Sequence, residues 1–161
     1  MTTMKTNYWD WLDSPIGRVA VELNMAGELS AIHFPAAKPE GIRDSERCRP
    51  VIEQLNEYFA GNREQFTLPL ALEGTAFQTR VWRALCRIPY GRTISYQELA
   101  KQVGNPKASR AVGSANGANP IPIVVPCHRV ITSDHRLGGY AGGLDAKAKL
   151  LALEGASPKL F

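Results

Sequence analysis

Apolar residues recur at about every second position early in the chain and at every third or fourth from residue 75 onward, and this change of period divides the sequence. Tyr8–Leu12, Arg18–Leu23 and Leu29–Phe34 read as three short antiparallel strands, the second with Val19, Val21 and Leu23 on one face. Turns at Ser14-Pro15-Ile16-Gly17 and at Asn24–Glu28, around Gly27, separate them. Residues 35–49 are rich in proline and charge and read as a loop. A helix is predicted over about 50–60, with Pro50 in its first turn, Ile52, Leu55 and Phe59 on one stripe, and Gly61 as its stop. Residues 62–74 read as a connector.

Helix signals dominate the remainder. Thr75-Ala76-Phe77-Gln78 fits a capping box, followed by Phe77, Val81, Leu85 and Ile88 on one face until Pro89-Tyr90-Gly91 breaks the pattern. Ser95-Tyr96-Gln97-Glu98 fits a second capping box, with Tyr96, Leu99, Ala100 and Val103 in register and Gly104 at the end. Asn105-Pro106 then suits an N-cap followed by proline at the first helical position, predicting a helix from Lys107 to about Asn116. Two short helices joined by a Gly-Asn-Pro turn have the form of a helix-turn-helix. The second helix offers Ser109, Arg110, Gly113 and Ser114 to its surroundings, three small residues and one long cation. A major-groove reader would carry several long polar side chains instead. Close, sequence-tolerant contact is the better expectation.

At 161 residues with 44% apolar content, the chain is one domain or two small lobes sharing a core. No apolar stretch approaches the length that crosses a bilayer, and no secretory pattern opens the sequence. Three cysteines, an odd number, argue for a reducing compartment, so the cytoplasm is the expected location. Charge is unevenly placed. Residues 1–75 hold 7 Lys/Arg and 11 Asp/Glu, a net of −4, whereas residues 76–161 hold 12 Lys/Arg and 4 Asp/Glu, a net of +8. The C-terminal half is therefore the one suited to a polyanion.

The chemistry is concentrated in Pro126-Cys127-His128-Arg129-Val130, which follows the dry run Ile121-Pro122-Ile123-Val124-Val125. A thiol in apolar surroundings is mostly protonated at pH 7, and an imidazole that accepts its proton is the usual route to a cysteine nucleophile. Adjacent residues on an extended strand point to opposite faces, so contact between Cys127 and His128 needs a bend or a water relay. A buried core cysteine is the bland alternative.

Several blocks together carry a family resemblance: Ile88-Pro89-Tyr90-Gly91 through Ser95-Tyr96-Gln97; Asn105 to Gly113; Asn119-Pro120 on through Pro126 to Val130; Gly138–Gly143; and Leu151-Ala152-Leu153-Glu154-Gly155. The chain resembles the O6-alkylguanine-DNA alkyltransferase family, the methylated-DNA–protein-cysteine methyltransferases, closely over roughly 76–155. The first lobe is similar only loosely, through Asp13–Gly17 and Tyr58–Gly61. The resemblance implies repair of alkylated bases by irreversible transfer of the alkyl group to Cys127, once per chain, with no cofactor because the thiol is consumed. It further implies that His128 takes the thiol proton through a water, that Glu154 orients the imidazole, and that Asn119 is a hinge tying the turn after the recognition helix to the active-site strand. Arg110 resembles the arginine finger that replaces the extruded base, and Tyr96 the tyrosine that turns the target phosphate. Gln97, Asn105 and Ser133 fall where the family contacts the DNA backbone. Tyr140 and Pro122 resemble pocket walls, the Val130 carbonyl a base-edge acceptor, and Ala141 a backbone N–H contact where some relatives have serine.

The fold expected is α/β of the α+β type: residues 1–74 as a three-stranded antiparallel sheet with a helix, and 75–161 as a mainly helical lobe for DNA binding and alkyl transfer. Its partner is double-stranded DNA carrying alkylated bases, with no membrane, and the chain is expected as a monomer. Cooperative binding along DNA stays open. His33 and Cys48 are too few for the structural zinc of some relatives; Cys86 reads as core and His135 as solvated. Three rival readings are a non-catalytic binder of damaged bases, a cysteine hydrolase using Cys127, His128 and Glu154, and a plain helix-turn-helix regulator.

Overall fold

In the computed structural model, residues 6–156 are described; the last five residues of the C-terminal lobe lie outside them. The chain divides between Leu72 and Glu73 into two compact units.

Alternation over the first unit produces β1 (Tyr8–Ser14), β2 (Gly17–Leu23) and β3 (Leu29–His33), joined as antiparallel neighbours. Pro15-Ile16 closes the first hairpin, with Ser14 opposite Gly17. The sheet has four strands rather than three, in the order β3-β2-β1-β4. The addition, β4 (Ile42–Arg43), runs parallel to β1 inside the stretch expected as loop. Two residues are too few to show a period, and the pairing is held by Ile42 N–H donating to Asn7 and Asp44 N–H to Trp9.

The helix α1 (Ser45–Phe59) begins five residues before the expected start. Asp44 is its N-cap, accepting from the Arg47 N–H at 2.9 Å, and Pro50 lies inside the helix. A proline there removes one backbone hydrogen bond, but the buried stripe Cys48, Val51, Leu55 and Tyr58 continues through it. Burial of that stripe against β1 and β2 outweighs the local penalty.

The second unit starts with α2 (Ala76–Leu85) and α3 (Tyr96–Gln102), both with complete capping boxes at Thr75/Gln78 and Ser95/Glu98. Cys86 caps the end of α2 and is exposed, not core, because one step beyond Leu85 turns the side chain off the buried face. The next helix, α4 (Ser109–Gly117), starts two residues later than Asn105-Pro106 predicts. Asn105 instead accepts from the Ala108 N–H in a turn, and α4 has no side-chain N-cap. α4 docks on α2 through Val112 and Ala115, with Trp82 Nε1 donating to the Ala115 carbonyl at 2.8 Å.

Two short strands missing from the pattern place the chemistry. β5 (Ile94–Ser95) pairs in parallel with β6 (Val130–Ile131), which brings the start of α3 beside the Cys127 segment. The last helix, α5 (Leu144–Leu153), packs on that segment and ends at Glu154. Among the described residues, no helix is long and apolar enough to cross a membrane.

Candidate active site

The run Ile121–Val125 is a tight turn rather than a strand, closed by the Val125 N–H on the Ile121 carbonyl at 2.9 Å. Ile123 sits in it at φ 76°, a strained conformation for a β-branched residue, and is fully buried. Asn119 braces the turn from both sides: Nδ2 donates to the Val125 carbonyl at 2.8 Å and Oδ1 accepts from the Ile121 N–H at 2.9 Å. The chain then enters one turn of 3₁₀ helix, Cys127–Arg129. This supplies the bend, yet among the described residues no hydrogen bond joins the thiol to the imidazole, and His128 Nδ1 meets no protein partner.

His128 is completely buried, and its Nε2 lies 2.7 Å from Glu154 Oε2 at the end of α5. The same carboxylate receives a two-pronged contact from Arg129, Nε on Oε1 at 2.8 Å and Nη2 on Oε2 at 3.0 Å. The remaining Arg129 nitrogen donates to the Ile88 carbonyl at 2.7 Å. Burial alone would raise the Glu154 carboxyl, but hydrogen bonds and charge from His128 and Arg129 hold it at about 2. Burial, joined by the Arg129 and Lys147 charges, lowers His128 against the raising effect of Glu154, so the imidazole is neutral at pH 7 and able to accept a proton.

The thiol is also buried. That pushes Cys127 up from the ordinary thiol range, opposed by hydrogen bonding from Asn119 and Tyr140 and by the Lys147 charge. Lys147, on α5, is fully buried and donates to the carbonyls of Val130 at 2.7 Å, Gly139 at 3.1 Å and Leu137. It therefore ties the strap of residues 137–143 to β6. Burial brings its own ionisation down to about 8, with the Cys127 sulfur acting in the opposite sense.

Tyr96 starts α3 and is wedged beneath the strap. A Cβ at Gly138 would lie 3.3 Å from its ring and hydroxyl, and Gly138 has φ 69°, so the backbone favours glycine there and a side chain would crowd Tyr96. Burial raises the Tyr96 hydroxyl, and Cys127 adds to that rise.

Six of the residues singled out in the sequence thus gather around one sulfur and the adjacent His128–Glu154 pair: Cys127, His128, Glu154, Asn119, Tyr96 and Tyr140. Gln97 and Ser133 line a common cleft of about 280 Å³ beside it. Arg110 is exposed on α4, Asn105 in the turn before it, Ala141 on the strap, and Pro122 is half-buried. The Val130 carbonyl is engaged by Lys147, leaving one lone pair for another donor. Arg129, Lys147 and Asn116, whose Nδ2 reaches the Cys127 carbonyl at 3.4 Å, were missed. Lys147 carried a signal, since it shares a helical face with Leu150 and Leu151, where a solvated lysine does not belong.

Comparisons with known proteins agree across both units. Residues 7–72 match the model described as 6-O-methylguanine DNA methyltransferase, ribonuclease-like domain, and residues 76–156 match its DNA binding domain. A methylated-DNA–protein-cysteine methyltransferase of Mycolicibacterium paratuberculosis is 62% identical over 89% of this chain and 89% of its own. One from Methanosarcina barkeri is 48% identical over 91% of this chain and 96% of its own. Among solved structures, Mycobacterium tuberculosis OGT in complex with DNA superposes with a TM-score of 0.86 at 45% identity, covering 92% of each chain. With matches of this extent over both of its units, the chain belongs to the 6-O-methylguanine DNA methyltransferase family.

Proposed function

We propose that the protein repairs O6-alkylguanine, and O4-alkylthymine with it, in duplex DNA by moving the alkyl group onto Cys127. The observation that carries this reading is a buried thiol set among Asn119, Tyr140 and Lys147 and followed directly by a neutral imidazole on a buried carboxylate.

The resting thiol is held protonated, so its proton leaves as the reaction proceeds. His128 takes it through a water, the imidazolium being stabilised by Glu154 and oriented by the Glu154–Arg129 pair. The thiolate displaces the base at the alkyl carbon: an S–C bond forms, the C–O bond breaks, and the departing base takes up a proton to become unmodified guanine. Thioethers resist hydrolysis, so each chain acts once. No cofactor enters.

A base inside a duplex cannot reach a buried sulfur, which requires extrusion. α3 and α4 act as the helix-turn-helix, with α4 in the minor groove, where its small residues permit close approach and Arg110 fills the place of the extruded base. Tyr96 turns the target phosphate. Gln97, Asn105 and Ser133 hold the backbone, while Tyr140, Pro122, the Val130 carbonyl and the Ala141 N–H bound the base. The chain works as a monomer in the cytoplasm, a reducing setting that suits its three free cysteines, one of them exposed. Intact-mass analysis after incubation with duplex containing O6-methylguanine tests the reading. One methyl per chain, located on Cys127 and lost in Cys127→Ala, is expected; an unchanged mass rejects it.

A further inference from the structure

Away from the Cys127 site, α2 carries a stripe of arginines with no counter-charge. Arg80 and Arg83 stand on one face of the helix, and Arg87 follows in the turn closed by its N–H on the Ala84 carbonyl at 3.1 Å. All three are exposed and line a groove of about 280 Å³, whose opposite wall is Gln102 and Val103 at the end of α3. No carboxylate lines this groove. Of the acidic residues of this unit, Glu154 pairs with Arg129, Glu98 serves the α3 capping box, Asp134 pairs with Arg136, Asp145 lies in the first turn of α5, and Glu73, ahead of α2, does not line the groove. Among the described residues, none of the three guanidiniums has an ion-pair partner.

Like charges so close together weaken a helix slightly, and three uncompensated guanidiniums around a concave surface form an anion site. Three cations in a row suit an extended polyanion better than a single small ion. Arg80 and Arg83 lie ~4.5 Å apart along α2, and Arg87 extends the row into the turn beyond Leu85. A DNA strand, with one phosphate per ~3.4 Å of duplex axis, offers more than one acceptor over a row of that length. The groove also adjoins the proposed DNA face. Val103 leads through Gly104 into the turn bearing Asn105 and then into α4 with Arg110, and α4 is docked on α2 by the Trp82–Ala115 hydrogen bond.

We propose that the α2–α3 groove formed by Arg80, Arg83, Arg87 and Gln102 is a second contact for the sugar-phosphate backbone of duplex DNA, continuing the track that α4 begins. This rests on the DNA-repair reading above and extends the footprint beyond the extruded base. Phosphodiester oxygens accept from the three guanidiniums, and Gln102 contributes an amide donor. Contacts of this kind position the protein without reading sequence.

The experiment is a salt titration of duplex binding by the full chain, comparing wild type with Arg80→Gln/Arg83→Gln/Arg87→Gln. Each phosphate contact contributes about −0.9 to the slope of log K against log salt, so the triple variant should lose close to 3 from that slope. Its affinity should fall by about tenfold or more at physiological ionic strength, equally for all sequences. An unchanged thermal melt, expected because the guanidiniums hold no other side chain, shows that the fold is intact. Equal slopes for the two proteins overturn the proposal, even where inorganic phosphate shifts the arginine Nε resonances, since the groove would then take free anions only. Wild type that binds no duplex at all sinks both this proposal and the reading it rests on; equal slopes sink the groove alone.

Discussion

Arg18–Asp13 in the first unit and Arg129–Glu154 in the second are the same chemical pair at similar distances, 3.1 and 2.8 Å. Their surroundings differ completely. The side chains of the first pair are 51% and 80% exposed, those of the second 7% and 0%. The remaining Arg–carboxylate pairs of the first unit, at Arg43–Asp10, Arg47–Asp44 and Arg63–Glu57, each keep at least one partner substantially exposed. Such pairs decorate a sheet and a helix that apolar packing already holds. A pair taken fully out of water costs desolvation, which its mutual attraction only partly offsets. What the second unit obtains in return is a carboxylate fixed beside His128. The contrast separates charge left in solvent from charge built into the proposed site.

Removing the buried hub should have the largest effect. Glu154→Gln leaves Arg129 and His128 without an anion, and breaking a buried pair of this kind costs about 3–5 kcal/mol. Methyl transfer should slow by at least about tenfold, because the imidazole loses both its orientation and the stabilisation of its charged form. The pH dependence has a definite sign. The Glu154 carboxyl is depressed from 4.5 to about 2, so its contribution is complete above 4.5 and disappears as the pH falls toward 2. Urea melts at pH 7, 4.5 and 3 should show wild type losing stability across that interval, and the variant losing less. A variant as stable as wild type at pH 7 would show that the pair is no keystone.

Lys147→Met comes next. It removes the donor shared by the Val130, Leu137 and Gly139 carbonyls, and each acceptor left buried and unsatisfied costs about 1–3 kcal/mol. It also removes the positive charge that lowers the Cys127 thiol. Two readouts follow: faster hydrogen exchange across residues 137–143, and an iodoacetamide pH profile for Cys127 displaced to higher pH. A purely structural lysine would give the first without the second.

Legibility followed the range of the interactions. Both capping boxes were readable because donor and acceptor lie three residues apart, and the β1–β2 hairpin because its turn chemistry is local. Cys127, His128 and Glu154 could be named from motifs, although the 2.7 Å contact spans 26 residues. What failed was long-range or lost a local competition. β4, β5 and β6 are two residues each and exist only through their partners. Pro50 and Asn105 carry real start signals, but Asp44 captured the α1 cap and Asn105 was spent on a turn. Arg129 and Lys147 were not singled out, since cations of their type usually sit in solvent, although the apolar face of α5 argued otherwise for Lys147. Only the fold revealed the carboxylate and carbonyls that let them be buried.

The smallest effect is expected where the comparison started. Arg18→Ala removes the exposed pair with Asp13 and a guanidinium 4.8 Å from the centre of the Trp11 ring. An exposed ion pair contributes about 0–1 kcal/mol and an exposed cation–π contact about 0.5–1 kcal/mol. The loss should therefore stay near 1 kcal/mol in a urea melt and shrink further at high salt, with methyl transfer to Cys127 unaltered. Salt is the sharper probe, because the Arg129–Glu154 pair, closed off from solvent, should respond far less to ionic strength. If Arg18→Ala cost as much as Glu154→Gln, burial would not be what distinguishes the two pairs, and the division between supporting and chemical charge would fall.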